Sequence, residues 1–523
     1  MDEIKTRTKD RVLIDDVRES PVDRWLFRLR KIVGLVILAL VILIVAWLAW
    51  RFLSDRPMAY GPPEEHFKYG SIGSEPGGSL FSTVGGVLPP YWIFKVLPSI
   101  CPDLLPGGYT SLGLIFEKGR DLPIGVSKRF RLGFEQVGLN CAGCHTGTYR
   151  ASPQSEPRIV LGMPAHGLDL QRFFSFVSEC TLDPRLTPDN VIGKIQEAGG
   201  GLGPLNRLLY RFQLVPRTRA ATLLQRSRVG LLLGDHAMQW GAGRVDTFNP
   251  YKALQFNWRL QDLPPGELIA ASDFPSLWNQ KPRAEMKMEL HWDGNNDSVD
   301  ERNLSASLGA GVTPVTIDHP ALQRVKDWIW TLPPPAYPFA IDPALAARGE
   351  EIYRAHCVSC HADARFRAGV VEPGWQVGRV VPLEQIGTDP GRWNSYTFLF
   401  ASNQYSLYPD SRYRFTHFRK TNGYANHPLD GIWLRAPYLH NGSVPTLRDL
   451  LEPPESRPKV FYRGYDVYDP LKVGFRTDVA EEPGRRYFRF DTSLPGNGNG
   501  GHVYGVRLSD GDKKAIVEYM KRL

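Results

Sequence analysis

Cys357-Val-Ser-Cys360-His361 has a near twin upstream in Cys141-Ala-Gly-Cys144-His145. C-x-x-C-H spaces two thiols to add to the two vinyl groups of a haem and places a histidine to ligate its iron. The repeated pattern therefore predicts two covalently attached haem c groups, on Cys141, Cys144 and His145 and on Cys357, Cys360 and His361. Two plainer chemistries compete: a single zinc site built from both cysteine pairs, or a thioredoxin-like dithiol. Zinc would leave both following histidines unexplained, whereas the haem reading also says where the chain divides.

Around the second motif the local signals are clear. Pro343-Ala-Leu-Ala-Ala-Arg-Gly-Glu-Glu-Ile-Tyr-Arg-Ala-His356 reads as an amphipathic helix that delivers the chain into Cys357. Residues 509–523 read as a terminal helix, with Ser509 fitting an N-cap and Asp512 a first-turn acid. Helix, C-x-x-C-H, long loop and terminal helix is the order of a cytochrome c domain. Upstream, residues 319–332 carry Leu322, Val325, Trp328, Ile329 and Leu332 at three- and four-residue spacing, and Pro333-Pro-Pro335 stops that helix. The expected fold is mainly α: an N-terminal transmembrane helix, then two cytochrome c-like haem domains with long loops. The expected boundaries are a cytoplasmic tail over 1–31, the transmembrane helix over 32–50, an irregular lead-in over 51–125, and haem domains over 126–335 and 336–523. The lead-in's aromatic content predicts that it packs on the first haem domain.

Ile32 to Trp50 is nineteen residues without a charge, long enough to cross a hydrocarbon core of about 30 Å. A cleaved signal peptide would have a shorter apolar run and small residues at its end, whereas Trp47, Trp50, Arg51 and Phe52 follow here. Arg24, Arg28, Arg30 and Lys31 crowd its front edge, which predicts a cytoplasmic N-terminus, haem domains in the periplasm and a bacterial inner-membrane location. Haem is attached to C-x-x-C-H in such a compartment. The two remaining cysteines, Cys101 and Cys180, either pair there as a disulfide or sit as buried thiols.

The 523 residues are 42% apolar and 23% charged, the balance of a globular protein, with a net charge of +8. Basic residues are scattered and no nucleic-acid motif is present, so no nucleic-acid partner is expected. The motif histidines are the proximal ligands, and the sixth iron position decides whether each site passes electrons or binds a small oxidant. For the second site the candidates are His502, in a glycine-rich loop, with His440, His427, His417 and Met520 competing. Met163 is a candidate sixth ligand for the first iron, against a packing role; His166 is its neighbour.

Ala436-Pro-Tyr-Leu-His-Asn-Gly-Ser443, followed by Thr446-Leu447, resembles the motif of the dihaem cytochrome c peroxidases and the methylamine-dehydrogenase-maturing dihaem enzymes. Ile386-Gly-Thr-Asp-Pro390, Pro428-Leu-Asp-Gly-Ile-Trp433, Arg457-Pro458 with Phe461 and Gly464, and Tyr468-Asp-Pro470 resemble the rubber-oxygenase branch of that superfamily. The resemblance spans residues 125–523 and is specific from 340 onward. It implies that the second haem is bis-histidine with His502 as distal ligand, and that the haem on His145 is the high-spin one. It also implies that His440 belongs to the second haem's surroundings or an inter-haem contact.

The segment from His291 to Asn303 resembles the family's stretch near the first haem, which makes Trp292 the candidate electron relay, against a core tryptophan. Glu301 and Arg302 are candidates for the proton acceptor and charge stabiliser of a bound peroxide, against an ordinary ion pair. A Ca²⁺ between the haems occurs among the peroxidases, but no compact acidic loop names its ligands here. The expected activity is peroxide reduction at the first haem with electrons relayed by the second, supplied by an electron-donor protein or quinol-linked cytochrome. The rivals are a pure electron carrier and a dioxygenase acting on an apolar olefin.

Overall fold

A computed structural model describes residues 20–75, 88–234, 236–408 and 411–523. The expected tail over residues 1–19 and the Gly77-Gly78 part of the lead-in lie outside the described residues. The chain forms two compact units. One is built on the N-terminal helix as far as Ser54, with Arg131–Gly133; the other comprises 55–130 and 134–523.

The first unit is the helix Pro21–Leu53, with no buried residue and an apolar stretch long enough to cross a membrane. It begins earlier than the hydropathy alone indicates, so residues 21–31 of the expected tail are helical. The reason is a capping box: the Ser20 side chain accepts from Asp23 N at 3.1 Å while the Asp23 carboxylate accepts from Ser20 N at 3.3 Å, and Pro21 fits the first helical position.

In the second unit helices dominate and the strands are short, two to six residues each. Tyr91–Ile100 and Leu170–Leu182 pack together with Phe94, Phe173, Phe176 and Val177 in one apolar core, and Cys101 and Cys180 join them as a disulfide. The lead-in also carries the helix Pro63–Tyr69, whose Phe67 shares a core with Cys141, Ala142, Val325 and Ile329. The Asn140 side chain donates to the carbonyls of Lys68 and Gly70 at 3.2 and 3.1 Å, so the lead-in packs directly on the first C-x-x-C-H turn.

The helices flanking the second motif form over Pro343–His356 and Asp510–Met520, with Asp342 and Ser509 as N-caps. They cross closely at Gly349, where an added Cβ would lie 1.9 Å from the Ala515 carbonyl oxygen, and Tyr353 packs on Tyr519. Tyr353 OH then donates to Ala362 O at 2.7 Å and pins the end of the motif turn. The helix over His319–Ile329 ends just ahead of the proline run, as its sequence predicts. Between the flanking helices, residues 370–505 are mostly loops with short helical turns and paired strands such as Val460–Arg463 with Phe488–Asp491.

Candidate functional site

Each C-x-x-C-H motif is a single helical turn at the wall of its own cavity. Asn140 caps the first turn, its Oδ1 accepting from Ala142 N at 3.0 Å, and the cavity beside Cys141, Cys144 and His145 has a volume of about 280 Å³. The cavity beside Cys357, Cys360 and His361 measures about 270 Å³. None of the four motif cysteines is in a disulfide, and each is half-buried.

The motif histidines are oriented alike. His145 Nδ1 lies 2.8 Å from Pro275 O, and His361 Nδ1 lies 2.7 Å from His427 O. A carbonyl partner fixes the proton on Nδ1 and leaves Nε2 for the cavity each ring lines, the arrangement that holds a metal-binding imidazole in place. Burial pushes His145 down to about 4, with the Arg302 charge adding to the effect, and pushes His361 below its ordinary value. Both rings are therefore neutral, as a ligand must be.

His502 stands across the second cavity from His361, the ring centroids 6.2 Å apart and the planes inclined by 40°. Two imidazoles on one metal, with bonds of about 2.0–2.1 Å and about 1.1 Å from nitrogen to ring centre, put their centroids about 6 Å apart. The pair thus fits an iron between them. Burial, with contributions from His361 and Arg457, pushes His502 down to about 3. Its Nδ1 is buried without a partner, so the ring is held through its backbone.

That backbone is tied down by residues the sequence had marked only as motif. His502 N donates to Ile386 O at 2.8 Å, and the buried Arg457 donates to Asn499 O, Gly501 O and His502 O at 2.6, 2.9 and 3.1 Å. Asn441 Nδ2 reaches Gly496 O and Gly498 O at 3.2 and 3.0 Å. Gly501, at φ +70°, has no room for a side chain, because a Cβ would lie 2.3 Å from the Gly387 carbonyl carbon.

Trp292 lines both cavities. Its Nε1 donates to Asp273 O at 2.8 Å, and its ring meets His427 edge-on at 5.8 Å. His427 in turn carries the carbonyl that orients His361. Through Asp273 N, which donates to His440 O at 2.9 Å, the same wall is joined to the Ala436–Ser443 motif.

Arg302 lines the first cavity near Cys141 and donates to Asn303 Oδ1, at 2.8 and 3.3 Å. Among the described residues no carboxylate forms an ion pair with it, and burial lowers it to about 10. A half-buried guanidinium that lines the cavity and is paired with no carboxylate among the described residues suits a carboxylate-bearing guest, such as a haem with its two propionates.

Glu301 corrects the sequence expectation. It does not line the cavity. Its Oε1 accepts from Thr416 N and Oγ1 at 2.6 and 3.0 Å, and its Oε2 from His417 N and Asn296 Nδ2 at 3.0 and 3.2 Å. A carboxylate saturated by four donors is a clamp for the 416–417 loop and has no lone pair to offer a peroxide proton.

Of the other candidates, His440, His427 and Met520 line the second cavity, with His440 stacked on Tyr424 at 4.1 Å. His417 pairs with Asp297 outside both cavities. Met163 is fully buried in the core with Trp278 and Trp433, and His166 stacks on Phe475 at 3.8 Å, so neither lines the first cavity. His291 does, but its Nδ1 is engaged by Asn295 Oδ1 at 2.6 Å and its ring lies over Phe418. Sequence reasoning missed Phe248, Tyr396, Phe400 and Arg392 in this lining, where Arg392 is neutralised by Asp293 at 3.0 Å and sits over the Phe248 ring. They come from distant segments and form no motif. Among the described residues no group of three or more His, Cys, Asp or Glu side chains is placed to hold a metal ion such as Ca²⁺.

Residues 423–462 match the family described as RoxA-like, cytochrome c-like. The matched stretch holds His427, Trp433, the Ala436–Ser443 motif and Arg457. Two relatives come from Sinorhizobium fredii (strain NBRC 101917 / NGR234), each described as an uncharacterized protein. The one called y4iM is 34% identical over 42% of this chain and 52% of its own length, so the chain spans about half of that relative. The one called y4iJ is 29% identical over 74% of this chain and 77% of its own length. The chain thus contains a RoxA-like cytochrome c-like domain, which implies covalently bound haem c.

Proposed function

We propose that this chain is a membrane-anchored dihaem c-type cytochrome that reduces peroxide at the first cavity with electrons delivered through the second. The N-terminal helix would anchor it with the N-terminus in the cytoplasm and both haem domains in the periplasm, where an electron-donor protein or quinol-linked cytochrome meets it. The overall reaction consumes two electrons and two protons per peroxide and releases two waters. Bound haem supplies the redox chemistry at each site.

The observation that carries this reading is the position of Trp292 in the lining of both cavities, with a facing imidazole pair in one and His145 in the other. Among the described residues no second histidine ring pairs with His145 as His502 does with His361. His361 and His502 would hold the electron-accepting site closed to small ligands, His145 would hold the open one, and Trp292 would bridge them. Arg302 would bind a haem carboxylate and raise the local positive potential.

Low-temperature EPR of the oxidised, haem-quantified protein tests this. One high-spin and one low-spin ferric signal, with peroxide consumption from a reduced donor, is the expected result. Two low-spin signals that persist on one-electron reduction would identify a pure electron carrier. A second reading, a dioxygenase acting on an apolar substrate, is favoured by the RoxA-like match and by the apolar side chains Phe173, Phe174, Phe248 and Phe400 in the first cavity. Oxygen uptake with an olefin and no donor would distinguish it.

A further inference from the structure

Between Glu197 and Asp235 the chain has no acidic residue and six arginines, Arg207, Arg211, Arg217, Arg219, Arg226 and Arg228. The stretch folds as one unbroken helical run, Pro204–Leu209, a π-helical turn Tyr210–Leu214 and Val215–Val229, followed by the short turn Gly230–Leu232. Tyr210, Leu214, Val215 and Thr218 bury one side against the protein. The other side is the reverse of an ordinary surface helix. Leu208, Phe212, Leu223 and Leu231 are 54%, 64%, 59% and 50% exposed, and the exposed Arg207, Arg211 and Arg226 stand among them.

We propose that this face docks on an anionic lipid surface, with Leu208, Phe212, Leu223 and Leu231 entering the headgroup–acyl boundary and the arginines contacting lipid phosphates. Exposed Leu and Phe cost free energy in water and rarely line up along about 35 Å of helix without a partner. A protein partner's usual anchors are Tyr and Trp, and this run leaves neither exposed: its single aromatic of that kind, Tyr210, faces inward. Apolar residues flanked by Arg with no acid within the run is the composition of an interfacial helix; Asp189 of the neighbouring helix pairs with Arg211, which leaves Arg207 and Arg226 as the exposed arginines offered to lipid, each favouring the bound state by about fivefold. The apolar helix Pro21–Leu53 gives an independent reason to place a bilayer near this chain. The inference does not depend on the haem chemistry.

The test uses the full-length, haem-loaded protein in nanodiscs of phosphatidylglycerol with phosphatidylcholine, and of phosphatidylcholine alone. A nitroxide is placed on Phe212→Cys or Leu223→Cys, both exposed sites, with Glu384→Cys as a reference. In the anionic discs the two labels should gain oxygen accessibility and lose accessibility to a water-soluble nickel complex, while the reference label stays aqueous. Arg207→Gln with Arg226→Gln should reduce the immersed-to-aqueous ratio by roughly 25-fold at either site. Unchanged haem content in each variant shows that folding is intact. Labels equally aqueous in both disc types would overturn the proposal. So would protection by an acidic redox protein without lipid, which would mark the face as a protein interface.

Discussion

His361 and His502 come from the two ends of the C-terminal half of the chain, yet their rings face each other 6.2 Å apart across one cavity. The distance is that of two imidazoles sharing a metal, and the loop carrying His502 is held by Arg457 and Asn441 through carbonyls alone. On the proposed dihaem reading, to which the predictions on haem and turnover belong, His502→Ala should leave both haems covalently attached, since neither cysteine pair is touched. It should convert one low-spin ferric signal to high-spin in EPR. An unchanged low-spin signal would mean that another residue closes that iron.

Trp292→Phe keeps an aromatic ring between the cavities but removes the Nε1 hydrogen bond to Asp273 O and the more readily oxidised indole. Haem content and both EPR signals should persist, while donor-driven peroxide turnover falls about tenfold or more, a barrier increase of at least ~1.4 kcal/mol. Stopped-flow reduction of the second haem should be unaffected, which locates the loss between the two sites.

For Glu301→Gln the expectation is structural. The substitution takes charge from three hydrogen bonds that hold the 416–417 loop and one from Asn296, which should cost about 1–3 kcal/mol and lower the thermal midpoint. The pH profile of peroxide turnover should not move. A loss of a hundredfold or more in turnover with an unchanged midpoint would restore a proton-transfer role to this residue.

Arg302→Gln removes a half-buried positive charge beside the first motif. Oxidised haem is then favoured, and a spectroelectrochemical titration should show the first haem's potential lowered by about 30–60 mV, up to roughly tenfold in the one-electron equilibrium. The second haem's potential should move much less.

Asp430 is 5% exposed and accepts from Arg283 at 2.6 Å, Arg435 at 2.9 Å and Asn279 at 3.0 Å. Asp430→Asn leaves two buried guanidinium groups without their anion and should destabilise the protein by about 3–5 kcal/mol, read from the urea midpoint. Arg435 lines the second cavity, so the second haem's spectrum should broaden as well.

The sequence alone determined the features that short-range physics controls. Thiol spacing, the amphipathic periods of 319–332 and 343–356, the Ser509 cap and the apolar run after residue 32 are each written within a few helical turns, and each falls in an element of the structure, with the first helix starting earlier, at Pro21, and the helix expected over 319–332 ending at Ile329. The tertiary structure decided everything that depends on which distant segments meet. From its sequence Trp292 reads equally as a core residue or a relay, and only the fold puts its ring in the lining of both cavities. Glu301 and Arg302 are neighbours in sequence, but the helix turns them apart: one goes to the 416–417 loop and the other to the cavity. The arginines of 204–231 looked scattered in the sequence, because charge counting does not reveal that the same helical run leaves Phe212 and Leu223 in solvent. Burial and side-chain direction are properties of long-range packing, and no local pattern encodes them.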